Sequence, residues 1–307
     1  MKHTLTIFLA ALVGVMLVLA AVSCAEAGNP TEPPDPFAGI SYRDMVSVPG
    51  GTFTQKDTSL ESFSHTITGF QMAKYEVTYE LWYTVYSWAT ANGYSFANAG
   101  TEGHDGTAGD APTVAKHEPV TEVHWRDCMV WCNAYSEMAG LTPVYENGSG
   151  AVIKDSTDGT VCDAAVPDWS ADGYSLPTEG EWQYAASYRD GSTWTPCDYA
   201  SGASADHNDA TATGEVAWYD ANATSTKDVG TKTANQLGIH DMSGNVWEWC
   251  WDWYGTWPSD AQSDYRGAAS GFNRVLRGGS YWYTNTHLRV GYRTGDDPDW
   301  EHSDLGF

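Results

Sequence analysis

The segment GGSYWYTNTHLRVGYR, residues 278–293, gathers side chains suited to contact with another molecule. It is dense in Tyr, Thr, Asn and His, and it contains neither an acidic residue nor a cysteine. Tyrosine supplies rigid amphipathic area at a small entropic cost, and short polar side chains form adaptable hydrogen bonds. Its histidine, His287, could bind a metal weakly, but one exposed histidine is ordinarily a surface residue. We therefore favour recognition over catalysis for this segment.

The cysteines offer a second place for chemistry. Cys128 and Cys132 lie four residues apart on a predicted helix, so their thiols face the same way, yet no His or Cys follows at a zinc-like spacing. Five cysteines follow Cys24, and an odd number leaves at least one thiol free or paired between chains. We expect buried structural thiols, or one bridge to Cys162, within the set Cys128, Cys132, Cys162, Cys197 and Cys250.

The charge of the chain excludes nucleic acid as a partner. The 307 residues include 15 Lys and Arg against 40 Asp and Glu, a net charge of −25, whereas nucleic-acid binding depends on basic side chains that neutralise phosphates. The 15 Trp and 18 Tyr residues can bury a core with few aliphatic side chains. Without the leader and linker, roughly 260 residues remain. No internal repeat occurs, so we expect one domain.

The amino terminus is predicted to be a targeting segment. A basic start at Lys2 precedes an apolar run over residues 5–22, and small residues lead into Cys24. This pattern resembles a bacterial lipoprotein signal, although Ala21 stands where Leu is usual; an uncleaved membrane anchor is the alternative. The resemblance implies cleavage after residue 23, lipidation of Cys24, and a location on the cell envelope, at the outer-membrane surface. Residues 24–43, rich in Pro, would tether the domain formed by residues 44–307.

The elements that must position these side chains give an α+β pattern. Alternating apolar residues predict strands over residues 45–53, followed by a hairpin turn, and over residues 66–73. Helical spacing predicts helices over residues 78–89 and 125–138 and from Thr178 to about residue 188. Residues 190–233, rich in Gly, Ser, Thr, Asp and Asn, predict long loops. We expect few helices, short strands and abundant loop.

Five separated stretches carry a family resemblance. They are MVSVPGGTF (45–53), KYEVTYELW (74–82), YSLPTEGEWQYAA (174–186), LGIHDMSGNVWEWCWDWY (237–254) and RVLRGGSYW (274–282), with DLGF at 304–307. Their order and spacing resemble the formylglycine-generating enzyme family, also called the sulfatase-modifying-factor domain, over residues 44–307. The resemblance implies a C-type-lectin-like fold of the formylglycine-generating-enzyme type.

The chain departs from that family where the enzymes carry their chemistry. The enzymes oxidise a sulfatase cysteine with two copper-binding cysteines located just after the GGS element. Thiolates suit Cu(I) because both are soft. Here no cysteine follows Ser280, and Tyr283 and His287 lie near the two expected positions. Fold alone does not carry function, so we expect no catalysis. A formylglycine-generating-type oxidase or related thiol oxygenase is the alternative.

The composition of the last segment is similar to that of diversity-generating-retroelement variable proteins, which share this fold and end in a segment rewritten by adenine mutagenesis. Randomised adenines in Asn codons cannot yield Trp or Glu, so Trp282, Trp300 and Glu301 are expected to be constant, and the family-like spacing suggests that Arg289 and Arg293 are scaffold. The variable segment would cover about residues 278–307 and bind a protein or another surface ligand. An undiversified binding module is the alternative. The predicted contact residues are Tyr281, Tyr283, Asn285, Thr286, His287, Gly291, Tyr292, Asp296, Asp297, His302 and Asp304.

The family resemblance also implies a structural calcium ion. The matching stretch of the family binds Ca²⁺ through a first side chain, two carbonyls and a later Glu, which correspond to Asp241, Gly244, Val246 and Glu248. Such hard oxygen ligands suit Ca²⁺. The alternative is a tight turn in which Glu248 accepts hydrogen bonds from main-chain amides. Sugar binding through an exposed Ca²⁺ is disfavoured because no Glu-Pro-Asn triplet occurs.

Overall fold

The computed structural model describes residues 36–307. The signal peptide predicted at residues 1–23, the lipidation site Cys24 and the tether up to residue 35 lie outside the described residues. The helices are α1 Tyr79–Ala91, α2 Trp125–Met138, α3 Gly159–Asp163, α4 Glu179–Ser187 and α5 Ala210–Val216, with a 3-10 turn at Asn285–His287. None of the helices in this part of the chain is long and apolar enough to cross a membrane.

Thirteen short strands complete the described residues, and the predicted α+β, loop-rich class is confirmed. The strands are β1 Met45–Val48, β2 Gly51–Lys56, β3 Ser62–Ile67, β4 Phe70–Ala73, β5 Thr101–Glu102, β6 Val120–Thr121, β7 Tyr145–Glu146, β8 Val166–Pro167, β9 Trp247–Trp253, β10 Gln262–Ser263, β11 Arg274–Arg277, β12 Thr294–Asp296 and β13 Leu305–Gly306.

The predicted helices form where their capping residues indicate. Helix α1 follows Thr78, whose Oγ1 accepts a hydrogen bond from the main-chain N–H of Leu81. Helix α4 follows Thr178, which forms a reciprocal capping box with Glu181: the Thr178 Oγ1 accepts from the Glu181 N–H at 3.1 Å, and the Glu181 carboxylate accepts from the Thr178 N–H at 2.8 Å. Helix α2 covers the predicted residues 125–138. Local sequence therefore determines these three helices.

The amino-terminal strands have different bounds from those predicted. The chain bends at Gly50, so that β1 pairs antiparallel with β4 and β2 pairs antiparallel with β3. A Cβ on Gly50 would lie 2.6 Å from the main-chain nitrogen of Gly69, and glycine is required for so close an approach. The predicted strand over residues 66–73 is likewise divided between β3 and β4. In residues 190–233, predicted as loop, the structure adds helix α5.

The cysteines described by the structure are free thiols, so the alternative of a bridge to Cys162 is wrong. Burial raises the pKa of both Cys128 and Cys132. A raised pKa keeps a thiol protonated and inert. These two side chains serve the core, as the first alternative predicted.

Strand β9, with the sequence WEWCWDW, is buried on both of its faces. It lies inside a four-stranded sheet of order β12–β11–β9–β13. Trp247, Trp249 and Trp251 join the hydrophobic cluster built on α1 and α2. Cys250 joins a second cluster, which contains Trp182 of α4. Alternation of side chains along the strand therefore divides the core into two parts.

Acidic side chains share the second face of β9 with Cys250. Glu248 accepts a hydrogen bond from the indole N–H of Trp182 at 2.8 Å, and Asp252 accepts one from the main-chain N–H of Glu179 at 2.7 Å. Burial, followed by the nearby charge of Glu179, raises the pKa of Asp252 from 3.8 to about 8. A carboxyl in this position is more stable in its neutral form.

Asp252 is expected to make the folded protein less stable as pH rises. The folded state holds a proton on this group between pH 3.8 and about 8 that the unfolded state has lost, so the free energy of unfolding falls across that window. The Asp252→Asn substitution keeps an acceptor for the Glu179 N–H and removes the titration. It should flatten the pH dependence by up to about 1.4 kcal/mol per pH unit.

The measurement is guanidinium unfolding of the wild-type and variant proteins between pH 5 and 8 at a fixed calcium concentration. Asp172→Asn is the matched control, because Asp172 is exposed and its hydrogen bonds to Thr142 lower its pKa below 3.8. It should leave the slope unchanged. Equal slopes for the wild type and Asp252→Asn would contradict the expected role.

Candidate functional site

The main chain of residues 278–293 is held to the body of the molecule by hydrogen bonds. The N–H of Tyr281 donates to the carbonyl of Asn245 at 2.9 Å, and the N–H of Val290 donates to the carbonyl of Tyr199 at 2.8 Å. These bonds fix the backbone without using the side chains that follow. These main-chain bonds hold both parts of the segment in place, and the Asn285 amide adds one side-chain bond, to the His207 carbonyl at 2.8 Å.

A glycine pair begins this segment because the chain turns sharply against its own later residues. Gly278 and Gly279 have φ angles of 91° and 75°, a region that favours glycine. A Cβ on Gly279 would lie 2.9 Å from the Leu288 side chain and 3.0 Å from the His287 carbonyl oxygen. This contact brings the 3-10 turn back over the start of the segment.

Two arginines hold the end of the segment. The buried Arg277 donates to the carbonyl of Val290 at 2.7 Å and also to the carbonyl of Tyr292. Arg293 forms two hydrogen bonds with the Glu179 carboxylate, from Nε at 2.6 Å and from the second terminal nitrogen at 2.8 Å. Such bidentate pairs fix geometry as well as charge. Arg293 therefore has the scaffold position that its spacing suggested.

Eight of the eleven predicted contact residues reach solvent in part or fully. The exposed fraction of Tyr283 is 37%. The 3-10 turn presents its three residues between the buried Leu288 and the exposed start of the segment. The partly or fully exposed set is Tyr283, Asn285, Thr286, His287, Tyr292, Asp296, Asp297 and His302.

The expectation of a solvent-facing contact is wrong for Tyr281, Gly291 and Asp304, which are buried. The Tyr281 hydroxyl and Nδ1 of His104 share a hydrogen bond of 2.6 Å. A Cβ on Gly291 would lie 2.7 Å from Cys197, so this position holds two loops together. These residues belong to the frame because neighbours distant in sequence cover them.

Asp304 is buried beneath the same surface. Its carboxylate accepts a hydrogen bond from the Ser280 hydroxyl at 2.5 Å and pairs with the His302 ring. Its main-chain carbonyl accepts from the N–H of Trp247 at the start of β9. The residue therefore joins the carboxyl terminus to the central strand.

The tryptophans expected to be constant are not buried. The exposed fractions of Trp282 and Trp300 are 63% and 50%, and Glu301 is also exposed. Packing in the core therefore does not explain a fixed identity at these positions. Trp300 instead lines a cleft with the predicted contact residues, a role that the sequence reasoning missed.

Six of the eleven predicted contact residues line one cleft of about 240 Å³, whereas Tyr281, Asn285, Thr286, Gly291 and Asp297 lie outside its lining. Aromatic rings form its wall: ring centroids of Tyr283 lie 5.3 Å from Trp247 and 4.8 Å from His287, and His287 lies 4.8 Å from Tyr292. Residues far apart in the chain thus share one concave surface. The lining residues are Trp247, Leu276, Tyr283, His287, Tyr292, Thr294, Asp296, Trp300, His302, Asp304 and Leu305.

Two aspartates, Asp296 and Asp304, and no cysteine are among the residues that line the cleft. Burial raises the pKa of Tyr283, and Asp304, Tyr292 and Asp296 raise it further. Burial also lowers the pKa of His287 below 6.5, so the ring is neutral at pH 7. Tyr283 and His287, which the family resemblance places near the two expected cysteine positions, contribute rings and hydrogen-bonding atoms. This arrangement can bind a molecule but offers no cysteine to oxidise one.

The predicted calcium stretch lies behind the cleft, where three buried carboxylates gather. Asp241 has a φ of 57°, and its Oδ2 accepts from the N–H of Gly230 at 2.6 Å. Glu248 accepts from the Trp182 indole rather than from the main-chain amides of a tight turn. The third carboxylate, Glu76, is one that the sequence reasoning missed, although it lies within the quoted motif at 74–82.

Glu76 is bound to the same stretch as the other two acids. Its Oε1 accepts from the N–H of Val246 at 3.1 Å, and its Oε2 accepts from the Asn245 amide at 2.6 Å. Burial raises the pKa of Glu76 well above 4.5, and the charges of Asp241 and Glu248 raise it further. Three buried acids that repel one another are stabilised either by protonation or by a cation among them.

The oxygen donors fit the hard ligand set of a calcium ion. A Cβ placed on Gly278 would lie 3.5 Å from Oε1 of Glu248 and 3.7 Å from the Val246 carbonyl oxygen, so both oxygens face the same space. Within residues 36–307, no three His, Cys, Asp or Glu side chains are arranged to hold a metal by themselves. A cation here would therefore need the carbonyl oxygens of Gly244 and Val246 as well.

Comparison with known proteins identifies the architecture. The family described as "Sulfatase-modifying factor enzyme 1-like domain" matches residues 31–307. The chain is 32% identical over 267 residues to the chaperone protein LppX of Paenibacillus barcinonensis, which covers 78% of this chain and 80% of that protein. The solved structure of Treponema denticola variable protein 1 has a TM-score of 0.68 at 28% identity and covers 86% of this chain and 92% of that one.

The enzymes of the family match over a shorter part. The formylglycine-generating enzyme of Streptomyces coelicolor is 35% identical over 153 residues, which covers 44% of this chain and 46% of the enzyme. The fold is nevertheless of the formylglycine-generating-enzyme type, mixed α+β with many short strands and loops. Because the family match covers the whole described region, this chain belongs to the sulfatase-modifying factor enzyme 1-like domain family.

Proposed function

We propose that the protein is a non-catalytic binding protein, anchored to the bacterial cell envelope through Cys24, that recognises another macromolecule with its carboxyl-terminal cleft. The observation that carries this proposal is the convergence of Tyr283, His287, Tyr292 and Asp296 on one cleft while their main chain is fixed by other residues. In such a surface the side chains that contact a partner can differ without loss of the fold, because other residues hold the main chain.

The comparisons and the cleft chemistry support binding over catalysis. The chain shares its fold, over most of its length, with a protein named a variable protein and with one named a chaperone protein. The match to formylglycine-generating enzymes covers less than half of the chain. No cysteine is among the residues that line the cleft. An oxidase of that type would lack its copper ligands here.

We infer further that the exposed face is diversified. Adenine mutagenesis of Asn codons can produce every contact residue that reaches solvent. It cannot produce the tryptophan at position 300, which lines the same cleft. Neighbouring DNA separates this from an undiversified module: a near-copy of the final coding segment that differs at adenines, beside a reverse-transcriptase gene, supports diversification.

Substitutions should distinguish the buried residues that stabilise the fold from the exposed residues of the proposed binding surface. Tyr281→Ala removes a buried ring bonded to His104 and should reduce the free energy of unfolding by about 3–5 kcal/mol. Tyr283→Ala, two residues later and partly exposed, should reduce it by no more than about 1 kcal/mol. Guanidinium unfolding measures both. Equal losses would contradict the division between frame and face.

Binding capacity can be tested by randomising the eight exposed contact positions in the displayed full-length protein and selecting for binding to unrelated purified proteins. We expect most members to stay folded and specific binders with dissociation constants of about 1 μM or lower to be recovered. A control library randomises the exposed loop at residues 147–151, which is outside the cleft lining. The proposal fails if the cleft library yields no more binders than the control.

Incubation of the wild-type protein with copper, O₂ and a sulfatase-type cysteine peptide tests the enzyme alternative. The expected result is unmodified peptide. Formation of formylglycine would overturn the non-catalytic assignment.

We also propose a structural Ca²⁺ held by Asp241, Glu248 and the carbonyls of Gly244 and Val246, with Glu76 adding negative charge nearby. Bound calcium would neutralise carboxylates whose burial raises the pKa of Asp241 to about 6 and that of Glu248 to about 8. Free Ca²⁺ at 100 times its dissociation constant would stabilise the fold by about 2.7 kcal/mol.

Calcium removal should lower the melting temperature by several degrees, on the order of 2–4 °C for each kcal/mol lost. Glu248→Gln should remove most of this difference between calcium and chelator. The exposed Glu301→Gln is the control and should retain it. A wild-type melting temperature that is the same in calcium and in chelator would exclude the ion.

A further inference from the structure

The chemistry of the cleft identifies the class of group that it takes, an inference that rests on the proposed binding function. Four rings form a continuous wall, since Trp247 also lies 6.2 Å from His287 and 6.0 Å from Tyr292 between ring centroids. The half-exposed ring of Trp300 lines the same space. Aromatic faces carry negative electrostatic potential and attract cations placed within about 6 Å.

Carboxylates add a full negative charge to that wall. Asp296 lines the cleft and accepts one hydrogen bond, at Oδ1, from the N–H of Asp297 at 2.9 Å. No hydrogen bond from residues 36–307 reaches its Oδ2. Asp304, whose oxygens are already bonded to Ser280 and His302, contributes charge beneath the surface. Asp296 is therefore the carboxylate able to contact a ligand.

None of the described residues that line the cleft is Lys or Arg. The guanidinium of Arg289, which is not among the lining residues, lies 5.8 Å from the Tyr292 ring centroid, and its Nε donates to the Thr286 carbonyl at 2.7 Å. Its charge acts on the cleft wall from outside, since, besides burial, it contributes to lowering the pKa of His287. His302, half-exposed at the rim, is paired with Asp304. A cation entering the cleft would meet rings and carboxylates.

The size of the cleft suits one side chain. Its volume of about 240 Å³ is below the roughly 300–1,000 Å³ of pockets that enclose drug-sized ligands. A lysine or arginine has a long apolar stem that packs on rings while its charged end meets a carboxylate. An anionic or apolar side chain would leave Asp296 uncompensated.

We propose that this cleft receives the cationic side chain of a lysine or arginine presented by a protein partner, with Trp247, Tyr283, Tyr292 and Trp300 contacting its stem and charge and Asp296 pairing with its end. The exposed residues around the cleft then set which partner is accepted.

The test uses four capped heptapeptides of glycine and serine that differ only at the central residue: lysine, arginine, norleucine or glutamate. The full-length protein, labelled with 5-fluorotryptophan and kept in calcium, is titrated with each peptide. Binding is followed by the ¹⁹F resonance of Trp300, which is assigned with the Trp300→Phe variant. The lysine and arginine peptides should bind at least about tenfold more tightly than the norleucine peptide, a difference of about 1.4 kcal/mol.

Variants locate the source of that preference. Asp296→Asn preserves the shape of the side chain and should reduce the preference for lysine over norleucine at least about threefold. Asp299→Asn changes a nearby exposed acid that lies outside the cleft lining and should leave it intact. Melting temperatures verify that both variants fold. If Asp296→Asn does not fold, the wild-type peptide series still shows whether the cleft prefers a cationic side chain.

Three results would overturn the cationic assignment: norleucine bound as tightly as lysine, glutamate bound most tightly, or no peptide shifting the Trp300 resonance. None of them bears on the randomised library. Binders recovered from that library together with any of these results would retain the binding function and reject the cation, whereas a library without binders would reject the binding function itself.

Discussion

The structure depends on pairing a buried carboxylate, that of Glu179, with two arginines from the carboxyl-terminal part of the chain. Arg293 contacts it directly, and Arg277 approaches to 4.0 Å. Burial alone raises the pKa of Glu179, but the two guanidinium groups outweigh that effect and lower it. An unpaired buried charge costs several kcal/mol. Helix α4 and residues 277–293 must therefore pack together for the buried charge of Glu179 to be stabilised.

Strand β9 contributes residues to both candidate sites, the cleft and the group of buried carboxylates. Successive residues of a strand point to opposite faces, so Trp247 lines the cleft while Glu248 joins the carboxylates behind it. A calcium ion at those carboxylates would stabilise the strand that carries the rear wall of the cleft. The two sites thus include adjacent residues of one strand, and the strand fixes the position of one site relative to the other.

The same architecture supports catalysis in relatives and, in our proposal, recognition here. In that proposal the difference rests on a few positions after the glycine pair, where Tyr283 and His287 contribute rings to a cleft that has no thiol in its lining. Main-chain hydrogen bonds and the buried arginines do not depend on the identity of those residues. Function can therefore change through the residues that line the cleft while the fold is retained, because other residues stabilise the fold.

The sequence by itself determined the local structure and the family. Side-chain caps such as Thr178 act over three or four residues, so the helices were predictable, and the linear motifs were sufficient to indicate the fold and the segment that forms the cleft. Only the tertiary structure decided which residues of that segment face outward. Tyr281 and Gly291 are covered by His104 and Cys197, which are distant in the chain. An irregular loop has no periodicity from which such burial could be inferred, since contacts far apart in sequence impose it.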